Sequence, residues 1–134
     1  MNYKIYTIGD KVEKYYLNAI NEYIKRLGRY CKISHIHFKN YNVLSTKYSK
    51  NEYVILINNK GNNISSEDLS QKINYLAINS ISNISFVIGY NIDIKCDEII
   101  SISSMEMDLG LKATVVAEQL YRAYRIINNE SYHK

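Results

Sequence analysis

The side chains of this 134-residue chain best suited to chemistry gather towards its end. In the stretch from Lys112 to Lys134, KATVVAEQLYRAYRIINNESYHK, Glu118 and Arg122 stand four residues apart, and Tyr132, His133 and Lys134 close the run. Four residues along a helix is one face, so this carboxylate and guanidinium can pair or meet a ligand together. Tyr132 can stack on a base. His133 can relay a proton, since the unperturbed imidazole titrates near pH ~6.5. Lys134 can meet a phosphate. Two plainer readings stand beside this one: a surface ion pair of about 0.3–0.5 kcal/mol, and a frayed terminus.

A helix must carry the pair. Leu111, Val115, Val116, Gln119, Leu120, Ala123, Tyr124 and Ile127 recur at steps of three and four, the period of an amphipathic helix, and Asn128 and Asn129 end it. Upstream, Tyr3–Ile8, Cys31–Phe38, Tyr53–Ile57, Ile84–Ile88 and Ile99–Ile102 read as five strands, alternating or continuously apolar. Helices are expected from Lys11, capped by Asp10, to Leu27, and from Ser65 or Ser66 to about Asn79. Lys39 to Lys50, polar with interleaved tyrosines and lysines, reads as a surface loop or an RNA-binding one.

Strands alternating with helices predict an α/β fold: one domain over residues 1–134, a mostly parallel sheet and helices on both faces. Ligands of such sheets bind at the carboxyl ends of the strands, here the loops Asn58–Asn63, Gly89–Asp93 and Ser103–Gly110. No apolar run approaches the roughly 20 residues of a membrane span. Two cysteines, Cys31 and Cys96, with no Cys-x-x-Cys pair, suit a cytoplasmic protein with buried thiols. His35 and His37 would share one strand face, but without a third ligand they suggest packing rather than metal. Residues 1–60 hold 11 Lys/Arg against 4 Asp/Glu, whereas residues 61–134 hold 6 against 9. The basic half suits either phosphate contact or a solvated, Lys-rich surface.

The run AEQLYRAYRIINNESYHK resembles the C-terminal signature of the RlmH family, SPOUT-class enzymes that methylate a pseudouridine of large-subunit ribosomal RNA. YKIYTIGDKVEKYYLNAINEYIKRLGRY, INNKGNNISSEDLSQKI and SFVIGY resemble its other blocks, in the family's order and over nearly the whole chain. The resemblance implies a C-terminal trefoil knot, a homodimer, S-adenosylmethionine as methyl donor and the ring N3 of a pseudouridine in 23S ribosomal RNA as acceptor. It places the donor against Ile57, Gly61, Ile88, Gly89 and the loop Ser103, Ser104, Met105, Glu106, Met107 and Asp108. Glu118, Arg122, Tyr132 and His133 match its residues near the acceptor.

The sequence also departs from the family's pattern. Tyr90 follows Gly89 where a second glycine is usual, Asn62 replaces a lysine after Gly61, and the loop at 39–50 is short. Asp108, Leu109 and Ala113 stand where the family carries Pro, His and Arg. Two further readings therefore accompany the enzyme: a catalytically inactive homologue that binds RNA or a protein partner, and a methyltransferase with a changed acceptor.

Overall fold

The computed structural model describes residues 1–41 and 51–132. Its strands are β1 (Asn2–Ile8), β2 (Lys32–Phe38), β3 (Tyr53–Asn63), β4 (Asn83–Gly89) and β5 (Glu98–Ser101). Its helices are α1 (Lys14–Leu27), α2 (Ser66–Ile78) and α3 (Leu109–Ile127). All strand pairings are parallel, in the order β2-β1-β4-β3-β5. A parallel sheet must be covered on both faces, which explains why β1, β3 and β4 read as β-branched apolar runs.

Strand alternation divides the core in two. Tyr3, Ile5, Ile55, Ile57, Ile84, Phe86, Ile88 and Ile100 face the helices and pack against Ile20, Leu27, Leu69, Ile73, Ala117 and Leu120. Tyr6, Ile8, Val54, Leu56 and Val87 face the opposite way, where Ile92, Ile94, Cys96 and Tyr41 cover them. Among the described residues, the expected covering of helices is thus met on one face. An extended segment after β4 closes the other, and residues 91–97 form no helix.

Two boundaries differ from expectation. Helix α1 starts at Lys14 behind Glu13, with no side-chain cap, rather than at Lys11 behind Asp10. Val12, 8% exposed, is tucked into the core and draws the preceding residues out of helical form. Residues 58–63 belong to β3 instead of forming a polar loop: after a register shift beyond Ile57, Asn62 and Asn63 pair with Ile100 and Ser101 of β5. The asparagines hide this strand because most of their side chains face water. The other caps follow simple chemistry. Ser65 and Asp68 form a reciprocal capping box on α2, and Asp108 accepts the Gly110 amide at the start of α3.

His35 and His37 do share a face, and both bond the Thr7 hydroxyl, at 2.8 and 2.9 Å. Burial, with His37 beside it, lowers the pKa of His35. The unfolded chain therefore binds the proton first as pH falls, and folding stability drops from about pH 6.5 downward. Urea midpoints measured between pH 7.5 and 5 should show this slope, and a His35→Gln variant should show less of it. An unchanged slope would sink the assignment. Helix packing offers a second test, because a Cβ on Gly110 would lie 2.6–2.8 Å from Tyr16, down to its own Cβ. Gly110→Ala should cost about 1–3 kcal/mol by overpacking, less any gain in helix propensity. This would read as a lower urea midpoint at unchanged m-value.

Candidate functional site

The parallel sheet brings the register shift of β3 beyond Ile57 and the ends of β4 and β5 to one edge, where the loop before α3 folds over them. Two small cavities open there. One, of about 10 Å³, is lined by Ile57, Asn58, Asn59, Ile102, Ser103, Met105, Met107 and Lys112. The other, of about 50 Å³, lies between Asn58, Asn59, Lys60, Gly89, Tyr90, Asn91, Glu106 and Lys112. Of the donor residues expected from sequence, Ile57, Gly89, Ser103, Met105, Glu106 and Met107 therefore meet around one cradle. Ile88 is fully buried beneath it in the sheet, and Asp108 is occupied in capping α3.

The loop itself is held by few bonds. Ser103 accepts the Met105 amide at 3.0 Å, and Glu106 accepts the Met107 amide at 3.2 Å. Glu106 also pairs with Lys112 across the cradle. The Lys112 ammonium, helped by the Met107 amide, holds the Glu106 carboxyl below the ordinary carboxylate range.

The glycines have packing reasons of their own. A Cβ on Gly61 would meet the backbone of Ile99 at 2.8 Å, so glycine is what lets β3 lie on β5 after its bulge. A Cβ on Gly89 would strike Ile92 at 1.8 Å, because the chain turns back over the sheet. Tyr90 points outward, 75% exposed, and does not fill the cradle. Leu109 reaches Gly9, and Ala113 is wholly buried.

A second cluster lies further along α3. The Arg122 guanidinium donates to Glu118 Oε1 from Nε at 3.1 Å and from Nη2 at 2.8 Å, and the Tyr132 hydroxyl donates to the same oxygen at 3.2 Å. Gln119 Nε2 donates to Glu118 Oε2 at 2.7 Å, and the Ser66 hydroxyl donates to Gln119 Oε1. Arg122 sits 4.7 Å above the Tyr132 ring, whose edge meets Tyr121. The bond to Glu118 raises the pKa of Arg122. Burial, then the bond with Tyr23, pushes Tyr132 up to about 12. The Tyr132 hydroxyl is thus a hydrogen-bond donor at neutral pH, not a base. Glu118, Arg122 and Tyr132 come together as expected, while His133 lies outside the described residues.

The two clusters are separate in this chain: Glu118 follows Lys112 by six residues, about 9 Å along the helix. A hollow of about 310 Å³ runs between them, from Ile57 and Ile102 to Ser66 and Gln119. Sequence reasoning placed Asn58 and Asn59 in an expected ligand loop without singling them out, and it missed Lys112 and the Ser66–Gln119 link. Only Lys112 left a signal: a cation in the first turn of a helix, where the dipole disfavours it.

A family described as "Predicted SPOUT methyltransferase" matches residues 1–133. Proteins named "Ribosomal RNA large subunit methyltransferase H 1" from Thermoanaerobacter sp. strain X514 and "Ribosomal RNA large subunit methyltransferase H 2" from Thermoanaerobacter pseudethanolicus are each 50% identical over 134 residues, all of both chains. "Ribosomal RNA large subunit methyltransferase H" from Enterococcus faecalis is 32% identical over 160 aligned residues, again all of both chains. The compact length is therefore shared with the Thermoanaerobacter relatives and not with the Enterococcus one.

Because Gly61 touches backbone rather than a movable side chain, Gly61→Ala should unfold at a urea midpoint lower by about 1–3 kcal/mol of stability, with no ligand present. A midpoint equal to the parent's would show that the approach to Ile99 is not binding on the fold.

Proposed function

The chain belongs to the SPOUT methyltransferase family, and from that premise we propose that it methylates ring N3 of a pseudouridine in large-subunit (23S) ribosomal RNA, using S-adenosylmethionine. The observation that carries this reading is full-length similarity to named ribosomal RNA methyltransferases, joined to a polar cradle at the β3 register shift and the ends of β4 and β5.

The groups around the cradle suit the donor in kind. Glu106 and Lys112 offer both signs of charge to an amino-acid moiety, Asn58, Asn59 and Ser103 offer hydrogen bonds, and Ile57, Ile102 and Met105 offer apolar contact. The cavities are far below the ~300–1,000 Å³ of an ordinary ligand pocket, so entry requires the lightly bonded loop at 103–108 to move outward. Ile57, Gly61, Ile88, Gly89 and residues Ser103 to Asp108 are the donor contacts in this proposal. Tyr90, 75% exposed, stands at the rim of the second cavity and does not occupy it.

When bound, S-adenosylmethionine supplies an electrophilic methyl group. The protein's part is to orient the acceptor, which alone can provide much of the acceleration. Arg122 contacts phosphate or base, Tyr132 stacks, and Glu118 fixes both of them. His133 takes the proton that leaves the acceptor nitrogen. A cytoplasmic homodimer and the trefoil knot belong to the same proposal.

The test is methyl transfer from labelled S-adenosylmethionine to ribosomes of a strain lacking the usual enzyme, with the modified nucleotide located by mass spectrometry. Label in a 23S pseudouridine is expected, falling at least about tenfold for Arg122→Met. Folded protein that leaves those ribosomes unlabelled would overturn the reading.

A further inference from the structure

Lys112 is the one charged side chain, among the described residues, that lines both cavities of the cradle. Its side chain is only 12% exposed, and its ion-pair partner Glu106, on the loop, is 49% exposed. Burying an ammonium is unfavourable unless a partner neutralises it. Its place near the start of α3 adds to the cost, because the helix dipole there is positive and only the Asp108 cap opposes it. Packing does not call for it, because Ala113, Val116 and Ala117 bury that end of the helix. The helix start already carries the Asp108 carboxylate as its cap, so the Lys112 ammonium itself is the positive group that the cradle offers, and it suits a carboxylate.

We propose that Lys112 receives the α-carboxylate of the donor's methionine moiety, and that Glu106, released from Lys112, faces its α-ammonium. This rests on the donor reading above. One carboxylate replaces another on the same ammonium, so Lys112 is never left buried and unpaired. The amino-acid zwitterion and the ion pair match charge for charge. The arrangement also accounts for the arginine that the family resemblance leads one to expect at Ala113. That side chain is wholly buried, and the cation stands one residue earlier, about 100° round the helix.

Calorimetric titration with two probes tests it: S-adenosylhomocysteine, and methylthioadenosine, which keeps the nucleoside and thioether but lacks the amino acid. The unaltered protein should bind the first about tenfold or more tightly than the second. Lys112→Met should abolish that preference, weakening S-adenosylhomocysteine while leaving methylthioadenosine within about twofold, which also shows that the cradle is folded. Lys112→Arg should restore most of the preference. If Lys112→Met binds both probes like the parent, the assignment is wrong and the donor site stands. If both variants lose both probes, Lys112 serves the fold instead. If the parent binds neither probe, the donor reading falls and this inference with it.

Discussion

The close seating of α3 on the sheet is the constraint on which the rest depends. Ala113, Ala117, Leu120 and Ala123 are wholly buried, and the small residues among them let the helix lie deep between α1 and α2. Larger side chains on this stripe would lift the helix and open voids that a well-packed core does not tolerate. Near its end the Tyr124 hydroxyl bonds that of Tyr3 on β1 at 2.7 Å, so both buried phenols are satisfied and the helix is fixed along its length. The same helix starts at the cradle and presents Glu118 and Arg122 two turns later. Its depth therefore sets where both clusters stand.

Much of this could be read in the sequence, for identifiable reasons. The apolar runs Tyr53–Ile57 and Ile84–Ile88 have no helical period and could only be buried strands, and the 3.6-residue period of α3 was plain. What escaped notice depended on contacts distant in sequence. Val12 pulls the start of α1 out of helix only because the core awaits it, and the strand at Asn62 and Asn63 exists only because β5 lies beside it. The expected donor residues came from family likeness rather than from pattern. Glycines 61 and 89 show the difference: Gly61 is held to glycine by the Ile99 backbone, whereas Gly89 meets the Ile92 side chain, so each answers to a neighbouring part of the chain. Lys112 was not singled out in the sequence, and only the fold places it under the loop.

The two clusters differ in how freely they can respond. Around Glu118, both carboxylate oxygens are engaged, Gln119 is tied to α2 through Ser66, and Arg122 is braced by an aromatic ring. Such a network is preorganised, with little to rearrange when a substrate arrives. The cradle is the opposite, with a loop held by a few bonds and one ion pair, and with Met105 largely in solvent. A firm cluster and a yielding cradle thus stand on one helix, and only the cradle has much to rearrange when a ligand enters.

At the other end of the sheet, the side chain of Glu52 is almost wholly enclosed and accepts from Lys4 and Ser85 at 3.0 Å, clamping three neighbouring segments where the strands begin. Close by, Ser80 turns the chain with φ 63° between α2 and β4. This end faces away from the cradle. It is the natural place to insert a fluorophore or an affinity handle at the Ser80 turn. A protein tethered there would present the cradle outward, unobstructed by the support.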